Sequence, residues 1–89
     1  MPQLPFIYTE HARTAIADRA INLQWIERVV ANPEWTESGA HDPTVTLAFA
    51  PISEFGGRML RVVYYIEADA LHIVTAYFDR SRRGGPRRS

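Results

Sequence analysis

The strongest constraint on this chain is a change of hydrophobic period at Asn32-Pro33. Before it, Ala12, Ala15, Ile16 and Ala20 recur at three- and four-residue spacing, and Leu23, Ile26 and Val30, with Val29 beside them, do the same. That spacing puts apolar groups on one side of a helix. Thr9 and Asn22 are suitable N-caps, and Glu10 favours the positive end of the helix dipole. Two helices are therefore expected, over about 10–19 and from Leu23 to a stop at Asn32-Pro33, where proline ends helical hydrogen bonding. After Pro33 the period drops to two: Val45, Leu47 and Phe49 alternate with small or polar residues. Strands are predicted over Thr44–Ala50, Arg58–Ile66 and Leu71–Phe78, the last two joined by a tight connection at Glu67–Ala70. Phe6–Tyr8 reads as a brief edge strand beside Pro5. Glu34–Pro43 and Pro51–Gly57 read as loops.

These elements give an α+β domain: a short strand, two helices, then an antiparallel sheet of three or four strands with the helices on one face. Setting Ile66 opposite Leu71 pairs Tyr64 with Ile73, Val62 with Thr75, Leu60 with Tyr77 and Arg58 with Asp79. One face then carries Leu60, Val62, Tyr64, Ile66, Leu71 and Ile73 toward the helices. The other carries Met59, Arg61, Val63, Tyr65, His72, Val74, Ala76 and Phe78. A slip of one residue in the second strand would exchange its two sides. Trp25 falls off the apolar stripe of its helix and is expected to be exposed, where it would favour a protein partner.

At 89 residues there is room for one domain, expected over 1–80, with a basic disordered tail at 81–89, where Gly84-Gly85-Pro86 bars regular structure. An apolar content of 46% suits a globular chain, and the absence of cysteine removes disulfides and thiolate chemistry. The longest apolar run, Val62 to Ile66, is far short of the ~18 residues of a membrane span. Met1–Pro5 lacks the basic start and apolar run of a signal peptide, so a cytoplasmic protein without membrane partners is expected. The formal charge of zero hides a division. Residues 80–89 hold five arginines and no acid, while residues 1–79 hold five arginines against ten acids. A basic tail on an acidic body suits nucleic acid or an acidic partner, or folds back on its own body.

The pieces Tyr8-Thr9-Glu10-His11-Ala12, Arg19-Ala20-Ile21, Gly57-Arg58-Met59-Leu60-Arg61-Val62-Val63 and Ile73-Val74-Thr75-Ala76-Tyr77 follow one another over residues 6–80. In this order and spacing the chain resembles a family of small bacterial proteins of unassigned function allied to the RelE/BrnT-type toxins. The resemblance implies a RelE-like fold, a place in a toxin–antitoxin system with an antitoxin protein as partner, and metal-independent cleavage of RNA. A homodimer is a further expectation. The family usually has glycine where Ala20 stands, to permit a left-handed turn, so a looser or differently shaped junction is expected here.

Metal-independent RNA cleavage uses the 2′-hydroxyl as nucleophile, so it needs a base, a cation for the crowded phosphorane and an acid for the leaving oxygen. The candidate catalytic residues are His11, Arg58, Arg61, Thr75 and Tyr77. His11, near a helix start, suits proton transfer, and Arg58 or Arg61 can grip phosphate bidentately. The expected strand register puts the two arginines on opposite faces, and the choice between them stays open. Arg61, Tyr65, Arg80, Arg82 and Arg83 are candidate nucleic-acid contacts, with a base stacked on Tyr65 or Phe78. Each has a plainer role beside it. His11 can cap its helix, Arg19 can pair with Glu10 or near Asp18, Arg58 can bridge to Asp79, and Thr75 and Tyr77 are ordinary strand formers. His11, His41 and His72 have no metal-ligand spacing, so neither metal nor cofactor is expected. The rival reading is a non-catalytic binding module of the same fold, contacting protein or nucleic acid.

Overall fold

The structure, a computed structural model, describes residues 4–79. The predicted tail at 81–89, with Arg80, Arg82 and Arg83, lies outside the described residues. The fold is α+β. In chain order the elements are β1 (Phe6–Tyr8), α1 (Glu10–Arg19), α2 (Leu23–Ala31), β2 (Trp35–Ser38), β3 (Thr46–Ile52), a 3-10 turn (Ser53–Phe55), β4 (Arg58–Glu67) and β5 (Ala70–Phe78). One five-stranded sheet runs in the order β1-β5-β4-β3-β2, and β1 is parallel to β5 while the other pairs are antiparallel.

The helix boundaries follow from their caps. Thr9 Oγ1 accepts from the Ala12 amide at 3.1 Å, and Asn22 Oδ1 accepts from the Gln24 amide at 2.8 Å. Each satisfies a donor that a helix start leaves open. Between the helices Ala20 adopts the left-handed conformation, φ 53° and ψ 44°, with its amide on the Ala17 carbonyl and the Ile21 amide on that of Ile16. The turn usually made by glycine is thus made by alanine, and the looser junction expected from the sequence is absent. The β4–β5 turn is similar: Ala68 and Asp69 both take positive φ, at 54° and 59°. That geometry matches the right-handed twist of a hairpin.

Both helices lie on one face of the sheet. Ala12, Ile16, Ile21, Ile26 and Val29 pack there against Ala48, Ala50, Ile52, Leu60, Val62, Ile73 and Ala76. Leu23 departs from the expected stripe and is 48% exposed, and Ile66 is 60% exposed near the hairpin tip. Trp25 is not the exposed residue expected. It packs against the core, with its ring 5.9 Å from Phe55 and 6.2 Å from Phe78.

Three corrections bear on the other face. Trp35–Ser38, expected within a loop, is the edge strand β2, and β3 continues through Pro51 to Ile52. The expected hairpin register holds at Ile66↔Leu71 and Tyr64↔Ile73, then shifts by one: Val63 faces Thr75, Arg61 faces Tyr77 and Leu60 faces Phe78. Val74 is the extra residue of a β-bulge. Ala76 and Phe78 therefore join the helix side, and Thr75 and Tyr77 turn to the helix-free side, the reverse of expectation. Thr9 fastens this irregularity, its amide donating to the Ile73 carbonyl at 3.1 Å and its hydroxyl to that of Val74 at 3.4 Å. One residue thus starts α1 and occupies the β5 edge where β1 ends.

Candidate functional site

The bulge brings three of the candidate residues together. With Thr75 and Tyr77 turned outward, the helix-free face carries them beside Arg61, which faces Tyr77 across the ladder. The Arg61 guanidinium carbon lies 5.1 Å from the Tyr77 ring centroid and 5.7 Å from that of Phe49. Its Nη1 donates to Asp79 Oδ2 at 3.4 Å, with the two side chains 25% and 8% exposed. Asp79 was expected opposite Arg58. The one-residue shift explains the change of partner, because Asp79 now binds the Met59 carbonyl through its amide.

Arg61 is only partly satisfied as a structural cross-link. Its Nε is buried and has no hydrogen-bond partner among the described residues. Leaving such a donor unsatisfied costs about 1–3 kcal/mol. Against that, its Nη1 faces the nearly enclosed Asp79 carboxylate, which an apolar side chain in its place would deprive of this cation. What makes Arg61 a candidate for contact with another molecule is that its side chain, 25% exposed, brings a cation to a face free of helices.

The remaining candidates disperse. Arg58 is on the helix side, over the rings of Phe55 at 5.1 Å and Phe78 at 5.9 Å, so it does not share a site with Arg61. Phe78 itself packs against Phe55, with centroids 4.7 Å apart and planes tilted by 44°, and is not the open platform expected. His11 is exposed in the first turn of α1, and no hydrogen bond, ion pair or ring contact ties it to Arg61, Thr75 or Tyr77. Tyr65 shares the face of Arg61 but its ring is stacked on His72, 4.8 Å apart and within 3° of parallel. Beside that pair a depression of 480 Å³ is lined by Asp42, Thr44, Val45, Tyr65, Ile66, Glu67 and Val74. Hydrogen bonds from Thr44 hold the Asp42 carboxyl below the ordinary aspartate range. One end of the helix-free face is thus cationic and the other acidic, which favours a phosphate near Arg61 and disfavours one near Tyr65.

Sequence reasoning named Arg19 as an ion-pair former and did not place it beside Tyr77. It lies in the last turn of α1 with its guanidinium carbon 5.9 Å from the Tyr77 ring, and the expected pairing with Glu10 or near Asp18 is absent. Nothing in the sequence near Arg19 signals Tyr77, since the contact depends on how α1 packs along β5. A smaller groove of 230 Å³ on the helix side is lined by Tyr8, Arg13, Ile16, Ala17 and Leu23. The Tyr8 hydroxyl is buried without a partner among the described residues, and burial, followed by the charge of Glu27, raises its pKa. Among the described residues no helix is long and apolar enough to cross a membrane.

No curated protein and no solved structure matches the chain. Residues 8–78 match the family of domains of unknown function DUF4258, a span that runs from the end of β1 to the end of β5 and includes Arg19, Arg61, Thr75 and Tyr77. The chain belongs to the DUF4258 family.

Proposed function

We propose that this domain is the toxin-like component of a bacterial toxin–antitoxin system and that it binds and cleaves RNA without a metal. The observation that carries this reading is Arg61. It is a partly exposed cation beside Phe49 and Tyr77 on the helix-free face, which also carries the Thr75 side chain. Single-stranded RNA suits such a surface, since guanidinium groups engage phosphate and hydroxyls engage the 2′-OH. In this reading Arg61 stabilises the phosphorane, Tyr77 or Thr75 contacts the sugar, and His11 transfers a proton when RNA crosses from the sheet to the start of α1. The resemblance to RelE/BrnT-type toxins supports the same assignment and adds an antitoxin as partner.

Expression in a bacterium lacking any antitoxin should arrest growth, and RNA incubated with pure protein and excess chelator should be cut. Arg61→Ala should relieve the arrest while the protein stays folded, and His11→Ala should relieve it if that ring transfers the proton. Harmless wild-type expression together with intact RNA would sink the reading. A non-catalytic binding module is the second reading, favoured by the isolation of His11 from the Arg61 cluster. Retention of RNA without cleavage would select it.

A further inference from the structure

Arg19 and Arg61 come from different elements, the end of α1 and the middle of β4, yet both reach the Tyr77 ring, at 5.9 Å and 5.1 Å. Two guanidiniums thus approach one ring, and among the described residues only Arg61 of the two is ion-paired, with Asp79. Arg19 has no ion pair among the described residues. Its place in the last turn of α1 suits the helix dipole, but that benefit needs only a positive charge there and no approach to Tyr77. The corner also belongs to a body, residues 1–79, in which acids outnumber arginines ten to five, so a local excess of cation stands out.

We infer that Arg19 and Arg61 form a two-cation site for one phosphate group beside the Tyr77 ring that both approach, with the Tyr77 hydroxyl as a further donor. On the RNA reading, on which the identity of the ligand rests, that phosphate is a backbone phosphodiester, and free phosphate shares its chemistry. The anion accepts hydrogen bonds from both arginines. A planar guanidinium suits it better than an ammonium group, because the exposed Arg19 can donate two parallel hydrogen bonds to phosphate oxygens, while Arg61, its Nε buried and Nη1 on Asp79, donates through Nη2. Asp79 acts as a positioning residue by holding Arg61 at one Nη.

The test uses the full chain with two probes at low ionic strength: inorganic phosphate followed by NMR, and a short single-stranded RNA followed by fluorescence anisotropy. Phosphate should shift the Tyr77 ring resonances and the side-chain signals of both arginines. Arg19→Gln should weaken binding of both probes at least about tenfold, the size expected for loss of a charge-assisted contact, and Arg19→Lys should recover only part of it. Arg13→Gln, on the other flank of α1, should leave binding unchanged and controls for the loss of one positive charge. Thermal melts establish that each variant is folded. RNA binding that ignores Arg19→Gln would overturn the two-cation site and leave the RNA reading standing. Phosphate captured by the pair without any RNA retention would uphold the site and end the RNA reading.

Discussion

On the helix-covered face, Ile26, Val29, Leu60, Val62 and Ile73 are all fully buried, and the small side chains of Ala48, Ala50 and Ala76 let the helices approach the sheet closely. The helix-free face also has a core, of Leu47, Phe49 and Met59, but its roof is made of single side chains. Trp35 stacks on Phe49 with centroids 4.7 Å apart and planes within 8°, Val45 and Val63 fill the sides, and Arg61 lies over the other part of Phe49. A helix excludes water with a whole apolar face. A roof of separate side chains instead includes polar and charged groups, and those groups remain within reach of a ligand. The contrast shows why the candidate site lies where the core is thinnest.

The comparison breaks first if the two cores prove equally deep. Leu60→Ala empties a fully enclosed position and should cost about 2–5 kcal/mol. Trp35→Ala removes a half-buried roof and should cost less, about 1–3 kcal/mol. Urea unfolding of the two variants decides it, and a larger loss for Trp35 would invert the picture. A smaller effect tests the seat of the helices. Ala20→Gly removes the penalty of a left-handed alanine and, net of glycine's greater chain entropy, should stabilise the fold by up to about 1 kcal/mol.

The smallest effect concerns the rim of the covered face. Arg28 of α2 grips Glu54 of the 3-10 turn with two hydrogen bonds, 2.9 Å and 2.8 Å. The Arg28 hydrogen bond, together with a backbone hydrogen bond, lowers the Glu54 pKa from 4.5 to about 2. A carboxyl depressed in the folded state contributes stability above its unfolded pKa and loses it as pH falls through the folded value. Glu54→Gln should therefore flatten the stability profile between about pH 4.5 and 2 and leave its shape unchanged at neutral pH. Both side chains are about half exposed, so a modest change is expected, read from melting temperatures across that acid range.

Much of the covered face was legible in the sequence, because its determinants are local. Thr9 and Asn22 announce helix starts, Asn32-Pro33 announces a stop, and the run Arg58–Ile66 fits an extended chain closely. The helix-free face was legible only in part. The tetrapeptide Trp35-Thr36-Glu37-Ser38 lacks a β-branched run and becomes a strand through pairing with β3. The bulge at Val74 has no glycine to mark it, and one of its fastenings is a hydrogen bond from Thr9, 65 residues away in sequence. Missing it inverted the sides assigned to Thr75 and Tyr77, and gave Asp79 the wrong arginine. Arg61 itself was visible as a charge on an apolar face, whereas Arg19 could be recognised only once α1 was packed along β5.

The bulge makes the chemistry of the sheet depend on one unpaired residue in β5 as well as on residue type. Removing Val74 while keeping every neighbour would leave a regular ladder with the pairs Val63↔Thr75 and Arg61↔Tyr77 intact, so both hydroxyls would stay on the same side. Drawing Val74 into the ladder would instead turn two hydroxyl-bearing side chains into the greasy interior and send an alanine and a phenylalanine out to water. The same residues in another alignment would thus present a different surface, with no change of sequence.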